Sequence, residues 1–386
     1  MGNVRGHRSL GHPLATGSLA NTVTLLRSNG GVDARFVPRA LRILLSNVAL
    51  VPFRRLEALR WSDAVERPEV REAPVFIIGT WRSGTTYLHN LMAQDAGLGF
   101  VSTLQAFCPE ACIEGAKVLH PVFRRLLPKK RPMDNMAMAL DYPQEEEYAL
   151  ANLSPHSFYV GYSLPRRMDS LYDRLSFAEG RGGAVLEEWK RLYLRVLKKA
   201  TLIMNGRRLV LKNPLNTSRI SALLDLFPGA RFVCLYRNPY VVYPSLVNTF
   251  SRMIGAFQLE RIERARIEDY ALSIYAKMMR AYWDTRGLIP PGNLVELRFE
   301  DFEANPLAGL ERIYRELRIP GFARARARFA GHIAGQAGYE KNRYEVSPET
   351  VDRISRHWGF AIDRLGYSPP RFSRAGTRSP TYPPRP

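Results

Sequence analysis

Residues 75–86 carry the feature that most constrains the fold: an apolar run, a glycine-rich turn and the start of a helix, in direct succession. The run Val75–Ile78 (VFII) has the length and composition of a buried strand. It is followed by GTWRSGTT at Gly79–Thr86 and by a helical pattern through Leu88–Met92. Glycines let a backbone turn tightly around an anion, and a helix N-terminus adds partial positive charge. The arrangement therefore predicts a cradle for a phosphate-like group.

The composition of this turn narrows the choice of ligand. Its hydroxyl groups and the guanidinium of Arg82 add donors and fixed positive charge to the backbone N–H groups. The candidate ligand-binding residues are Gly79, Arg82, Ser83, Gly84, Thr85 and Thr86. The spacing is that of a P-loop, G-x-x-x-x-G-K-[ST], except that Thr85 stands where the lysine should be. A nucleoside triphosphatase needs that lysine, so a P-loop small-molecule kinase is an alternative that the sequence disfavours.

Strand and helix patterns alternate along the rest of the chain. Further strands are predicted at Arg208–Leu211, Arg231–Leu235 and Leu294–Phe299. Helices are predicted at Leu186–Met204, Ile220–Phe227, Val241–Phe250, Tyr270–Leu288 and Pro306–Leu317. The predicted fold class is therefore α/β: a P-loop-like parallel β-sheet flanked by helices on both faces, with a largely helical or irregular insertion. Ligands of such sheets bind at the carboxyl ends of the strands.

The charge balance limits the partner classes without choosing among them. Lys and Arg number 56 against 36 Asp and Glu, a net charge of +20 that favours polyanions, anionic membranes and phosphorylated small molecules alike. A basic binding protein for nucleic acid or membrane is thus a second alternative. The arginines are spread along the chain without a nucleic-acid-binding signature, so no nucleic acid partner is predicted. The three cysteines indicate no disulfide framework and fit a reducing, cytoplasmic compartment.

One N-terminal segment has two interpretations. Arg39–Arg55 (RALRILLSNVALVPFRR) is an apolar stretch bracketed by arginines. It is too short to span a bilayer, and no uncharged apolar run of about 18 residues occurs in the chain, so no transmembrane helix is predicted. The preferred interpretation is a helix docked on the domain, with Pro52 near its end. The alternative is peripheral contact with an anionic membrane surface.

Several segments resemble one enzyme family. PVFIIGTWRSGTTYLHNLM resembles the 5′-phosphosulfate-binding loop of sulfotransferases that use 3′-phosphoadenylyl sulfate (PAPS), with Trp81 in place of a common proline. LVLKNPLNTSRISALLDLFPGARFVCLYRNPYVVYPSLVN resembles the segment for the donor's 3′-phosphate, and the resemblance assigns Arg237 and Ser245 to that phosphate. DYPQEEEYAL and YEKNRY are similar to segments of the bacterial branch, and Lys341 in the latter is assigned to the donor. The resemblance spans about residues 74–367.

The second motif also has a meaning from its residues alone. Arg237 ends a predicted strand, and Ser245 lies two turns into the helix that Pro239 begins. An arginine and a hydroxyl suit a phosphate monoester. The alternative is a structural salt bridge for Arg237 and a helix-surface position for Ser245.

The resemblance implies an enzyme that transfers a sulfuryl group from PAPS to a hydroxyl or amine acceptor by in-line displacement. Arg82 is predicted to stabilise the departing phosphate oxygen, and Lys212, after the second strand, is a second cation. Glu145, the first of three consecutive glutamates, is the predicted base, and His89 on the loop helix is the alternative. The sulfate end carries one negative charge, so no metal is expected. The acceptor is predicted to be a small molecule, a lipid or a carbohydrate.

The predicted organisation has four parts. Residues 1–30 form a flexible N-terminus, and 31–72 a helical segment packed on the core. Residues 73–367 form the sulfotransferase-like domain, with the insertion at about 97–183. That insertion, rich in proline, aromatic and methionine residues, is predicted to form the wall of an acceptor pocket. Residues 368–386 form a tail rich in proline and arginine.

Overall fold

A five-stranded parallel sheet lies at the centre of the molecule. The computed structural model describes residues 12–28, 31–70, 72–127, 130–131, 133–134, 136–177, 182–336, 338, 342 and 344–370. The strands are β1 (Val75–Ile78), β2 (Leu98–Gly99), β3 (Arg208–Lys212), β4 (Arg231–Tyr236) and β5 (Leu294–Arg298). Their order is β2-β3-β1-β4-β5, and all paired neighbours are parallel. Strands β2 and β3 lie on one side of β1, and strands β4 and β5 lie on the other side. The topological switch point of the sheet is therefore at β1.

Sixteen α-helices occur among the described residues, and most of them cover the sheet. They are α1 (Leu19–Ser28), α2 (Val37–Ala49), α3 (Val51–Glu66), α4 (Thr85–Met92), α5 (Thr103–Phe107), α6 (Glu114–Leu126), α7 (Glu147–Leu153), α8 (Met168–Leu175), α9 (Gly183–Ile203), α10 (Ile220–Leu226), α11 (Pro239–Phe257), α12 (Arg264–Thr285), α13 (Phe299–Ala304), α14 (Pro306–Glu316), α15 (Phe322–Gly335) and α16 (Pro348–Leu365). Short 3₁₀ helices occur at Pro13–Thr16, Ala34–Phe36, Phe158–Tyr162, Pro165–Arg167, Pro214–Ser218 and Arg286–Leu288.

The side chains of β1 alternate between two apolar layers. Phe76 and Ile78 pack into the layer that contains residues of α9, α11, α12 and α16. Val75 and Ile77 pack into the layer that contains residues of α4, α14 and α15. Both faces of a parallel sheet are thus covered by helices, and the predicted α/β fold class is confirmed. Helices α5 to α8 and two 3₁₀ helices lie in the predicted insertion.

The N-terminal region differs from the prediction in two respects. The prediction that residues 1–30 are flexible is wrong for 12–28, which form a 3₁₀ helix and α1 with Leu14 and Leu25 buried. The helix predicted over Arg39–Arg55 is divided at Leu50 into α2 and α3, and Pro52 lies in the first turn of α3 rather than near a helix end. Proline is tolerated in a first turn because no intrahelical partner exists there for its missing N–H.

Helix α2 docks on the domain through one face only. Ala40, Ile43 and Asn47 are buried, whereas Leu41 and Leu45 on the opposite face are 54% and 69% exposed. Among the described residues, 34–66 are long and apolar enough to cross a membrane by length and composition, a weak criterion that core helices and signal sequences also meet. Of the predicted tail, residues 371–386 lie outside the described residues.

Candidate active site

At two positions of the turn after β1, only glycine fits the backbone conformation and the surrounding atoms. Gly79 has φ of 134°, and a Cβ there would lie 2.2 Å from the carbonyl oxygen of Leu235. Gly84, which caps α4, has φ of 95°, and a Cβ there would lie 2.0 Å from the ring of Phe299. Arg82 also has a positive φ, 72°, which is uncommon for a residue with a side chain. The loop is therefore held in a tight curve at the carboxyl edge of the sheet.

Contacts from outside the loop fix this curve. Thr217, in the 3₁₀ helix after β3, accepts a hydrogen bond from the Gly79 N–H at 2.8 Å and donates one to the Gly79 carbonyl at 3.1 Å. The Ser83 hydroxyl donates to the Thr80 carbonyl at 2.7 Å, so it stabilises the loop itself. Trp81 is buried against Phe158 and Phe250. This packing anchors the loop where related loops have a proline.

Three predicted donor-binding residues meet at this loop. Arg82 donates from Nε to the Ser245 hydroxyl at 2.8 Å, and Arg237 donates to the Arg82 carbonyl at 3.3 Å. The Arg237 guanidinium lies over the Phe299 ring, 4.6 Å from its centroid. Burial lowers the pKa of Arg237, although the carboxylates of Glu300 and Glu303 oppose that shift. Ser245 is buried, so the helix-surface alternative considered for it is wrong.

Two residues of the insertion complete the charged rim of the loop. Arg131 donates to the Thr86 hydroxyl at 3.3 Å and pairs with Asp134 at 3.3 Å. Asp134 also accepts from Arg82 at 2.7 Å. Burial alone would raise the pKa of Asp134, but the two guanidinium groups outweigh it and lower the pKa. A carboxylate is thus held between two arginines that also line the predicted anion cradle.

Glu145 and Lys212 form a buried ion pair at the end of β3. The Lys212 ammonium binds one carboxylate oxygen of Glu145, and the Tyr159 hydroxyl donates to the other. Burial lowers the pKa of Lys212, although the carboxylate of Glu145 opposes that shift. Burial raises the pKa of Tyr159 well above its ordinary value, so this phenol remains a donor. Lys212 is paired in register with Ile77 of β1, which brings the ion pair next to the start of the loop.

The two following glutamates have different partners. Glu146 accepts from the Tyr193 hydroxyl at 2.9 Å through one oxygen, and its buried second oxygen has no hydrogen-bond partner within the part of the chain that the structure describes. Burial raises the pKa of Glu146 to about 7. Burial would also raise the pKa of Glu147, but Arg219 at 2.7 Å and Asn213 at 2.9 Å reverse the shift and lower it. Glu147 therefore serves as a structural anion inside the protein.

Comparison with known proteins decides the family. A model of the group described as "Sulfotransferase family" matches residues 74–324. This chain belongs to the sulfotransferase family. It is 31% identical, over 298 residues, to the omega-hydroxy-beta-dihydromenaquinone-9 sulfotransferase Stf3 of Mycobacterium bovis and of Mycobacterium tuberculosis, covering 77% of this chain and 76% of each relative. It is therefore a transferase that moves sulfuryl groups, and neither the kinase nor the binding-protein alternative is favoured.

Solved structures show the same fold. The sulfotransferase STF1 of Mycobacterium tuberculosis H37Rv superposes with a TM-score of 0.64 at 18% identity, covering 89% of this chain and 91% of that one. STF9 of Mycobacterium avium gives 0.65 at 17% identity, covering 90% and 96%. At these identities the similarity concerns the fold alone.

The structure distinguishes between the two bases predicted for the sulfotransferase. His89 is buried, and its Nε2 lies 3.1 Å from the Val210 carbonyl of β3. Burial, reinforced by Lys212, lowers the pKa of His89 to about 3, so the ring is neutral. This placement weighs against His89 as the base, whereas Glu145 lies at the sheet edge beside the loop. Lys341 lies outside the described residues.

The sequence did not reveal Arg131, Asp134, Tyr159 or Thr217 as members of this sulfotransferase site. Arg131 and Asp134 lie in an insertion without periodic pattern, and Tyr159 is one of many aromatic residues there. Thr217 lies within LKNPLNTS, part of a segment that resembles the family, three residues before α10 begins at Ile220. Only this last position carried a usable signal, because residues that follow a strand end near the phosphate loop.

Proposed function

We propose that this sulfotransferase uses PAPS as donor and transfers its sulfuryl group to a hydroxyl of an apolar small molecule. One observation above all supports this proposal: Arg82, Arg237 and Ser245 meet at the loop after β1. The Lys212–Glu145 pair lies nearby, at the end of the adjacent strand. A nucleotide with two separated anionic ends requires two such cationic sites at one sheet edge.

The loop and the strand end have separate tasks in this proposal. The backbone of Gly79–Thr86, the α4 N-terminus and Arg82 bind the 5′-phosphosulfate. Arg237 and Ser245 bind the 3′-phosphate. The burial of Arg237 beside an aromatic ring supports this assignment because a buried cation gains most from an anionic ligand.

Transfer proceeds by one displacement at sulfur. The acceptor oxygen forms a bond to sulfur while the bond from sulfur to the nucleotide phosphate oxygen breaks, and that oxygen keeps the electron pair. Arg82 and Lys212 stabilise the charge that develops on the departing oxygen. Glu145 takes the proton of the acceptor hydroxyl. Tyr159 and Lys212, each bound to one carboxylate oxygen, are positioning residues that orient Glu145.

Binding of the nucleotide product tests this proposal. Adenosine 3′,5′-bisphosphate should raise the melting temperature, because it binds only the native state. Arg237→Ala removes a charge-assisted contact of about 1.5–3 kcal/mol, so affinity for this ligand should fall about 10- to 100-fold. Affinity for adenosine 5′-monophosphate, which lacks the 3′-phosphate, should change much less. Both are measured by calorimetry.

A matched control removes the same charge elsewhere on the following helix. Arg252→Ala, at an exposed position of α11, should leave both affinities near those of the unmodified protein. Equal losses for the two nucleotides in Arg237→Ala would make Arg237 structural. No melting shift with the bisphosphate at millimolar concentration would remove the donor assignment itself.

The proposed acceptor is apolar, and the proposed location is cytoplasmic with peripheral contact to the membrane. The relatives named above act on a hydroxylated menaquinone, as their name states. This chain exposes an N-terminal apolar face, which consists of Leu41, Leu45 and Val48 on α2 and Val118 and Val122 on α6. An apolar acceptor dissolved in a membrane would be reached from such a face.

A further inference from the structure

An apolar cavity of about 260 Å³ lies between α2, α5, α6 and the first 3₁₀ helix. Its wall includes Leu50, Leu104, Phe107, Leu119, Phe123 and Leu140. Cavities lined in this way stay dry and bind apolar molecules, even when they are smaller. Six of the fourteen lining residues come before position 74, where the match to the family begins. The cavity is thus built by the N-terminal helices together with the insertion.

Two polar side chains on this wall, His12 and Thr16, are already paired. Nε2 of His12 lies 2.8 Å from the Phe257 carbonyl, and burial lowers the pKa of His12 to about 4, so the ring is uncharged at neutral pH. The Thr16 hydroxyl donates to the Phe107 carbonyl. Burial raises the pKa of the Cys108 thiol to about 12, so no thiolate forms there. The cavity therefore offers a ligand apolar contact and no charge.

The outer end of the cavity opens within the N-terminal apolar face. Val122 lines the cavity and is 50% exposed, and Ala49 lines it from α2. Val118, one turn earlier on α6, is 62% exposed but does not line the cavity. An apolar rim around an apolar cavity admits a hydrocarbon chain without a polar barrier.

Ring contacts connect the cavity wall to the proposed base. Phe107 of the cavity wall contacts Tyr148, with ring centroids 4.8 Å apart, and Tyr148 contacts Tyr159 at 4.7 Å. The Tyr159 hydroxyl donates to Glu145. Two ring contacts thus separate the cavity from the carboxylate that would receive the acceptor proton.

We propose that this cavity binds the hydrocarbon portion of the acceptor, with the acceptor hydroxyl directed toward Tyr148 and Glu145. The inference rests on the proposed function for the identity of the base, but the binding site itself does not depend on it. The acceptor class is then a long-chain or isoprenoid alcohol. A sugar would lose its hydrogen bonds to water in this cavity without replacing them.

The probes are linear primary alcohols from butanol to decanol. Calorimetry measures the binding of each alcohol to the full-length protein. Each added methylene should tighten binding about fourfold, from 0.8 kcal/mol per buried methylene, until the cavity is full. Val122→Trp, which narrows the mouth at an exposed site, should weaken octanol binding at least tenfold. Leu119→Trp, inside the wall, should do the same. Val118→Trp is the matched control and should bind octanol normally.

The outcomes separate this inference from the donor assignment. All three variants should bind adenosine 3′,5′-bisphosphate as the unmodified protein does. If that nucleotide binds but alcohols do not, or if affinity is independent of chain length, the cavity is not the acceptor site. If Val118→Trp loses as much as Val122→Trp, the alcohols bind the exposed face instead, and the inference is also wrong. If alcohols bind but the nucleotide does not, the proposed donor fails while the cavity remains.

Discussion

Glu145, Glu146 and Glu147 are consecutive in the chain, yet their carboxylates lie in three different environments. Helix α7 begins at Glu147, so the side chains leave the backbone in different directions. Glu145 meets Lys212 at the sheet edge, Glu146 accepts from the Tyr193 hydroxyl, and Glu147 is neutralised by Arg219. Of the three glutamates, Glu145 is the one beside the phosphate loop at the sheet edge, and this position favours it as the base.

The first prediction compares the candidate bases. Glu145→Gln keeps the shape of the side chain but removes its basicity, so single-turnover sulfuryl transfer should slow about 10²- to 10⁴-fold. Nucleotide affinity should stay near normal. His89→Asn should cost far less in transfer rate, because His89 is buried against β3. Normal rates in Glu145→Gln together with an inactive His89→Asn would reverse the assignment.

The second prediction concerns Glu146 and pH. Because burial raises its pKa to about 7 in the folded protein, the folded state binds a proton more tightly than the unfolded state does. The stabilising contribution is fully present below the ordinary glutamate pKa and is lost as pH rises toward the folded value. The contribution of Glu146 to the free energy of unfolding should therefore decline between about pH 4.5 and pH 7. The buried, neutral rings of His12 and His89 contribute in the opposite sense over much of this range, because their pKa values are lowered by burial.

Urea denaturation of the unmodified protein and of Glu146→Gln at several pH values isolates this contribution. Because an amide does not titrate, the stability of the unmodified protein relative to the variant should decline from about pH 4.5 to pH 7. Glu187→Gln, at an exposed position of α9, is the control and should leave the pH dependence unchanged. A slope in Glu146→Gln equal to that of the unmodified protein would show that other groups titrate in this range.

The unit of β1, loop and α4 could be predicted from the sequence, whereas the surroundings of the loop could not. VFII, two glycines at loop spacing and an apolar helix pattern are local signals, and the structure has β1 and α4 at those residues. The packing of Trp81 on Phe158 and the pairing of Arg131 with Asp134 depend on residues distant in sequence. No local pattern encodes such contacts.

The same limit explains the errors at the N-terminus. Residues 12–28 have the composition of a loose segment, but tertiary packing of Leu14 and Leu25 gives them structure. The sequence did not show that the helix is divided into α2 and α3 at Leu50. A proline such as Pro52 is compatible with the end of one helix and with the first turn of the next. Local sequence therefore favoured a flexible segment where residues 12–28 are helical, and a single helix where α2 and α3 are separate.

The third prediction tests the loop element. Gly84→Ala introduces a Cβ at φ of 95° and 2.0 Å from the Phe299 ring. The backbone strain alone costs about 1–3 kcal/mol, so nucleotide affinity should fall at least tenfold and the melting temperature should drop. Gly255→Ala makes the same chemical change within α11, where a Cβ meets no atom within 4 Å. That control should be neutral or slightly stabilising, because alanine favours helix. Normal nucleotide binding by Gly84→Ala would mean that the loop conformation does not matter.

At the scale of the whole molecule, charge and apolar surface occur together on one side. The N-terminal apolar face is flanked by exposed basic residues, namely Arg42, Arg55, Lys117, Arg124 and Arg125. An anionic membrane attracts such groups by about 1 kcal/mol each near its surface. Leucine side chains on the same face then enter the apolar region, so the two contributions act in the same direction.

The last prediction follows from this arrangement. The protein should bind vesicles that contain phosphatidylglycerol and should bind neutral phosphatidylcholine vesicles far less, with binding weakened by salt. Leu45→Glu places a charge on the 69%-exposed position of α2 and should reduce binding to the anionic vesicles at least tenfold, as measured by cosedimentation. Leu288→Glu makes the same change at a 56%-exposed position far along the chain and should bind as the unmodified protein does. Equal loss in both variants would mean that net charge, rather than this face, governs binding. Equal binding to both kinds of vesicle would remove the role of the basic residues.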